Sequence, residues 1–153
     1  MRLESPAFRD GAPIPPGHSR DGGDTSPPLS WSDPPAASRS FALVCDDPDA
    51  PRGTWVHWVL WGIPADARSL SAGAGGSESP PGGGVHGTND FRDRRWGGPA
   101  PPRGHGTHHY RFRLFALDAE PQLAAGATRA ELGRAIEGHV LAEAVLVGTF
   151  RRD

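Results

Sequence analysis

The residues best equipped for chemistry in this 153-residue chain fall into two clusters. Asp47-Pro48-Asp49-Ala50-Pro51 leads into Trp55-Val56-His57-Trp58. Gly97-Gly98-Pro99-Ala100-Pro101-Pro102 runs on to Gly104-His105-Gly106-Thr107-His108-His109-Tyr110. Imidazole N–H, tyrosine O–H and the backbone N–H groups of a Gly/Pro loop can all donate to phosphate oxygens. The carboxylates can raise the proton affinity of the histidines or accept from an ammonium group, and the sequence leaves both roles open. Paired Asp and His side chains can also serve general acid–base chemistry, or hold a metal that activates water. His57, His86, His105, His108 and His109 supply enough nitrogens for zinc, but the chain has no His-Glu-x-x-His or Cys-x-x-Cys pattern. No metal and no cofactor is expected.

Each cluster sits at the mouth of an apolar run. Trp55–Ile63 is apolar on both faces, as in a strand covered on both sides. Its alternation predicts Trp55, His57, Val59 and Trp61 on one face, with Val56, Trp58 and Leu60 on the other. His57 is then either a satisfied core histidine or a ligand group with aromatic neighbours. Tyr110–Leu117 alternates cleanly, so Tyr110, Phe112 and Leu114 share one side while Arg111 and Arg113 share the other. The same parity puts His108 beside Tyr110 and turns His109 away. Asp47 and Asp49 point the same way if their segment is extended. They cap a turn if it is not, since Asp-Pro and Asp-Ala-Pro are common turn chemistry.

Other elements frame these two. Ser40–Cys45 reads as a short buried strand, and Cys45, the sole cysteine, as a buried inert thiol. Thr128-Arg129-Ala130-Glu131 is a capping-box pattern that opens one helix, and Gly138 marks its stop. A last strand is predicted within about residues 142–150. Residues 9–37 read as loop-rich. A low-complexity Gly/Pro loop at about 71–88 reads as a mobile surface insertion. With 21 Gly and 17 Pro, a chain of this length fits one mainly β domain over residues 1–153, a sandwich or barrel, better than a helical bundle. A net charge of −2 gives no electrostatic footprint for nucleic acid. All 16 basic residues are arginine. No stretch approaches membrane-span length and Met1–Ser5 carries no apolar h-region, so the expectation is a cytoplasmic protein without stable membrane insertion.

The motifs, in this order, resemble the phosphatidylethanolamine-binding protein family, in its bacterial Raf-kinase-inhibitor-like branch. The likeness runs from Ser26-Pro27-Pro28-Leu29-Ser30-Trp31, through Asp-Pro-Asp-Ala-Pro, Trp-x-His and Gly-x-His-x-Tyr, to Leu146-Val147-Gly148-Thr149-Phe150. It implies a β-sandwich of largely antiparallel strands with one helix in the C-terminal half and a final strand. It also implies a small pocket for phosphate-bearing or similar anionic groups at one end, and one or more cis X-Pro bonds nearby. Carried over by motif, the pocket residues are Asp47, Asp49, Pro51, Trp55, His57, Ala100, Pro101, His108 and Tyr110. The family's usual His-Arg-Tyr is His108-His109-Tyr110 here, a change on the outward parity.

Two functions compete. A binding protein would take a small anionic or phosphorylated ligand, and the resemblance adds modulation of a protein kinase or protease. A hydrolase-type enzyme would use the Asp/His cluster, with or without a metal. Ser40, Ser69 and Ser71 stand in no Gly-x-Ser-x-Gly context, so binding without catalysis is the expectation. A homodimer is also compatible with the chain. Trp31 and Trp96, in loop-like sequence, are the candidates for an aromatic interface, whereas Trp55, Trp58 and Trp61 read as core.

Overall fold

The structure, a computed structural model, describes residues 1–76 and 80–153. The strands are β1 (Arg2–Glu4), β2 (Leu29–Ser32), β3 (Ser40–Asp47), β4 (Trp55–Pro64), β5 (Ser69–Leu70), β6 (Val85–His86), β7 (His108–Leu117) and β8 (Val140–Phe150). One α-helix, α1 (Arg129–Ile136), occurs among the described residues. A five-stranded sheet in the order β6-β4-β3-β7-β8 faces a three-stranded sheet in the order β1-β2-β5, and every named pairing is antiparallel. This is the mainly β sandwich that the sequence predicts.

The large sheet is buried on both faces. Its inner face carries Phe41, Leu43, Cys45, Trp58, Leu60, Tyr110, Phe112 and Leu114 against Leu3, Leu29 and Trp31 of the small sheet. Its outer face carries Ala42, Val44, Val59, Trp61, Phe115 and Leu117 under Leu132 and Ile136 of α1. That double cover explains why β3 and β4 read as nearly unbroken apolar runs. The helix begins as predicted: Thr128 Oγ1 accepts from Glu131 N while Glu131 reaches back to Thr128 N. Cys45 is fully buried, and burial, followed by the nearby Asp46 and Asp47 charges, pushes its thiol well above the usual range, so it stays protonated.

Several expectations fail for identifiable reasons. The loop-rich residues 9–37 contain a short strand that the sequence did not mark, β2, with Trp31 packed edge-on against Phe41. Trp31 and Trp96 are buried, so neither can form a surface patch. Trp55, expected in the core, is the exposed tryptophan at 38%. The Gly/Pro loop is partly structural. Gly75 N bonds Ser26 Oγ, and a Cβ there would lie 2.7 Å from Trp96 and 3.0 Å from Trp58, so only glycine lets the loop approach the core this closely. The centre of that loop, residues 77–79, lies outside the described residues. No cis peptide bond occurs among the described residues. The Pro-rich loops reverse instead at glycines with positive φ, Gly53 at 110°, Gly104 at 74° and Gly106 at 91°.

Candidate functional site

The two clusters meet at one end of the large sheet because β3 lies between β4 and β7. Asp47 ends β3, Trp55 begins β4 opposite it, and His108 begins β7 beside them. The strand ends alone would not aim His57 inward. Asp46 pairs with Val56 and Cys45 pairs with Trp58, which leaves His57 as the extra residue of a β-bulge. The bulge breaks the expected alternation. Val59 and Trp61 face α1, while Trp55 and His57 join Tyr110 on the inner side. A second irregularity follows between Phe41 and Leu43, where Gly62 opposite adopts φ 67°.

The resulting cavity has a volume of about 210 Å³ and is lined by Asp47, Ala50, Pro51, Trp55, His57, Phe91, Ala100, Pro101, Pro102, His108 and Tyr110. All the expected residues except Asp49 line it. Asp47 Oδ1 accepts from Asp49 N, two residues on, so the segment turns rather than extends. Asp49 is thereby sent to the outside, where its Oδ2 accepts from both the backbone N and Nδ1 of His109. Burial pushes the Asp49 carboxyl up, but the hydrogen bonds from His109 outweigh it and hold the group below the usual carboxylate range. His109 is exposed while His108 and Tyr110 are buried, as their parity predicts.

Phe91, Ala50 and Pro102 line the cavity beyond the residues expected from the sequence. Phe91 stacks edge-on against both Trp55 and His57 and forms an apolar wall. It fits because residue 97 is glycine: a Cβ there would stand 2.5 Å from Phe91 Cδ2. Gly97 also bonds His57 twice, donating its N–H to the His57 carbonyl and accepting from His57 Nδ1 at 2.6 Å. An aromatic residue in the polar stretch 86–97 was the available signal for Phe91. His105 was visible as a histidine, but only the fold brings it to 2.6 Å from His108.

Three polar side chains inside the cavity have different electrostatics. Burial pushes the His57 imidazole down, ahead of the opposing hydrogen bond to Gly97, so the neutral ring is favoured. With its Nδ1 hydrogen on the Gly97 carbonyl, its Nε2 is left with a lone pair. His108 Nδ1 donates to Asp47 Oδ2 at 2.6 Å, which ties that carboxylate to the ring. Tyr110 is fully buried and its hydroxyl has no hydrogen-bond partner. Burial, then the Asp47 charge, pushes the phenol far above its ordinary range, so it remains an O–H donor. Among the described residues no three His, Cys, Asp or Glu side chains gather as a metal site. A larger groove of about 750 Å³ runs along β1 and β8. Its polar groups are surface side chains such as Arg2 and Glu4, already paired at 2.6 Å.

No helix among the described residues is long and apolar enough to cross a membrane. The family model described as phosphatidylethanolamine-binding protein matches residues 4–151. A protein of Methanothermobacter thermautotrophicus named only UPF0098 protein is 45% identical over 152 residues, covering 99% of each chain. A Mycobacterium tuberculosis protein named putative lipoprotein LppC is 44% identical, over 98% of this chain and 72% of its own length. Among solved structures, E. coli YbcL, described as a new member of the mammalian PEBP family, superposes with a TM-score of 0.91 at 33% identity. That match covers 99% of this chain and 98% of YbcL. A PEBP homologue from Chlamydia trachomatis, CT736, superposes with a TM-score of 0.90 at 35% identity, over 99% of this chain and 97% of its own. A strand-end cavity of this composition, a two-sheet sandwich and a match along nearly the whole chain agree: the protein belongs to the phosphatidylethanolamine-binding protein family.

Proposed function

We propose that this protein is a binding protein whose cavity takes a small anionic group, best a monoprotonated phosphate or phosphate monoester. The observation that carries the reading is the Tyr110 hydroxyl, buried, protonated and without a partner. An unsatisfied buried donor costs about 1–3 kcal/mol, which a ligand oxygen would relieve. His57 Nε2 supplies the complementary acceptor. A phosphate that still carries one P–OH can donate to His57 and accept from Tyr110 at once. Pro51, Trp55, Phe91 and Pro101 form an apolar surround that strengthens such contacts by excluding water. The small volume suits a headgroup rather than a drug-sized molecule, which needs about 300–1,000 Å³.

The same group could be free or displayed on a partner such as a kinase or protease. A catalytic role finds less support. Asp47 and His108 resemble an orienting carboxylate and a base, but the cavity lining holds no Ser, Thr or Cys nucleophile for them to activate. NMR titration of labelled protein with inorganic phosphate and with phosphoethanolamine tests the reading. Shifts should concentrate on Trp55, His57, His108 and Tyr110, and Tyr110→Phe should weaken binding about tenfold. Signals that stay still at millimolar ligand would sink it.

A further inference from the structure

Both ring nitrogens of His108 are engaged. Nδ1 is bonded to Asp47 Oδ2, and Nε2 lies 2.6 Å from His105 Nδ1, with the two rings 4.8 Å apart at their centroids. A buried histidine whose nitrogens are both taken has nothing left to offer a ligand. Asp47 cannot be the partner that yields. Its side chain is buried, and it also anchors the turn through Asp49 N. His105 is different. It is exposed and stands between two glycines, Gly104 at φ 74° and Gly106 at φ 91°, each with open space where a Cβ would be. Its backbone holds by His105 N to the Pro102 carbonyl and by Gly104 N to the Arg152 carbonyl, so the side chain can rotate out while the cavity wall at Pro101 and Pro102 stays in place.

We propose that His105 is a removable cap on His108, an affinity-setting residue that an entering oxyanion displaces. The inference rests on the anion-binding reading above. A charged phosphate oxygen outcompetes the His105 imidazole when His108 carries a hydrogen on both nitrogens, Nδ1–H on Asp47 and Nε2–H free to donate to the oxygen. A neutral group of the same size gains too little at His108 Nε2 to remove the cap and is left with Tyr110 and His57 alone. The cap therefore lowers the affinity of an oxyanion that uses His108 by the cost of displacing His105, and leaves a neutral group held by Tyr110 and His57 unaffected.

His105→Ala tests the cap, because the side chain is exposed and its loss leaves the fold intact. Phosphate should bind the variant about 5- to 10-fold more tightly than the unaltered protein in an NMR titration. In the unaltered protein the His105 ring signals should move to free-imidazole positions as phosphate saturates. Equal or weaker binding by the variant overturns the cap. If neither protein binds phosphate, the anion-binding reading has failed, and carbethoxylation by diethyl pyrocarbonate, mapped by peptide mass, still decides the cap. Reaction at His108 several-fold faster in His105→Ala upholds it, and an equal rate refutes it.

Discussion

Asp46 and Asp47 are consecutive, both only 3% exposed, and have opposite fates. Asp46 points to the outer face of the sheet, where Arg111 Nε at 2.8 Å and Arg113 Nη2 at 3.1 Å close on its two oxygens. Asp47 points to the inner face, where it meets an imidazole and a cavity. The outer carboxylate satisfies its charge with fixed cations, so its interactions end within the fold. The inner one holds a histidine in place next to a hydroxyl that has no partner. The two acids differ in what their partners are: guanidiniums for Asp46, and for Asp47 an imidazole that lines a cavity beside the Tyr110 hydroxyl.

That contrast can be broken from either side. The largest stability effect belongs to Asp46→Ala, which strands Arg111 and Arg113. Urea unfolding should show a loss of about 2 kcal/mol, less than for a fully buried pair because both guanidiniums keep some water. Phosphate affinity should change little. Asp47→Asn should do the reverse, weakening phosphate binding about tenfold in the same titration at a smaller stability cost. Next comes pH. The unfolded chain protonates His57 near the ordinary imidazole value of 6.5, whereas burial holds the folded ring below that. The unfolded state therefore binds more protons just below that pH. Stability must fall as pH drops through about 6.5, by at most about 1.4 kcal/mol per pH unit. Thermal unfolding of His57→Gln should show a flatter acid limb than the unaltered protein between pH 7.5 and 5.5.

Tyr110→Phe sharpens the comparison further. It removes an unsatisfied hydroxyl from a fully buried ring, so thermal unfolding should show a gain of about 1 kcal/mol even as phosphate binding weakens. A loss of stability would mean that the hydroxyl has a partner within the folded protein. The smallest effect is expected from His109→Ala on the outer side. Its pair with Asp49 is about half exposed, so chemical denaturation should register no more than about 0.5 kcal/mol.

What the sequence made legible was whatever depends on local period. Tyr110, Phe112 and Leu114 lie on the inner face and Arg111 and Arg113 on the outer one because β7 is regular. The capping box of α1 is equally local. Most of the failures involve partners distant in the chain; Asp49 is the local exception, turned outward by Asp47 two residues before it. Trp31 and Trp96 stand among turn-forming residues and are buried because a second sheet and the loop at Gly75 close over them. Phe91 counts as a wall only because Gly97 leaves room for it. The parity of β4 was misread because a bulge is a property of two strands in register, and nothing within Trp55–Ile63 itself announces it.

The bulge has a consequence for how such a cavity can arise or be lost. With His57 excised, Val56 opposite Asp46 and Trp58 opposite Cys45 would become neighbours in an unbroken ladder, and both would keep their present partners. A single-codon deletion would thus give a more regular sheet with the imidazole gone from its mouth. The regular sheet and the imidazole at its mouth are therefore separable at one position.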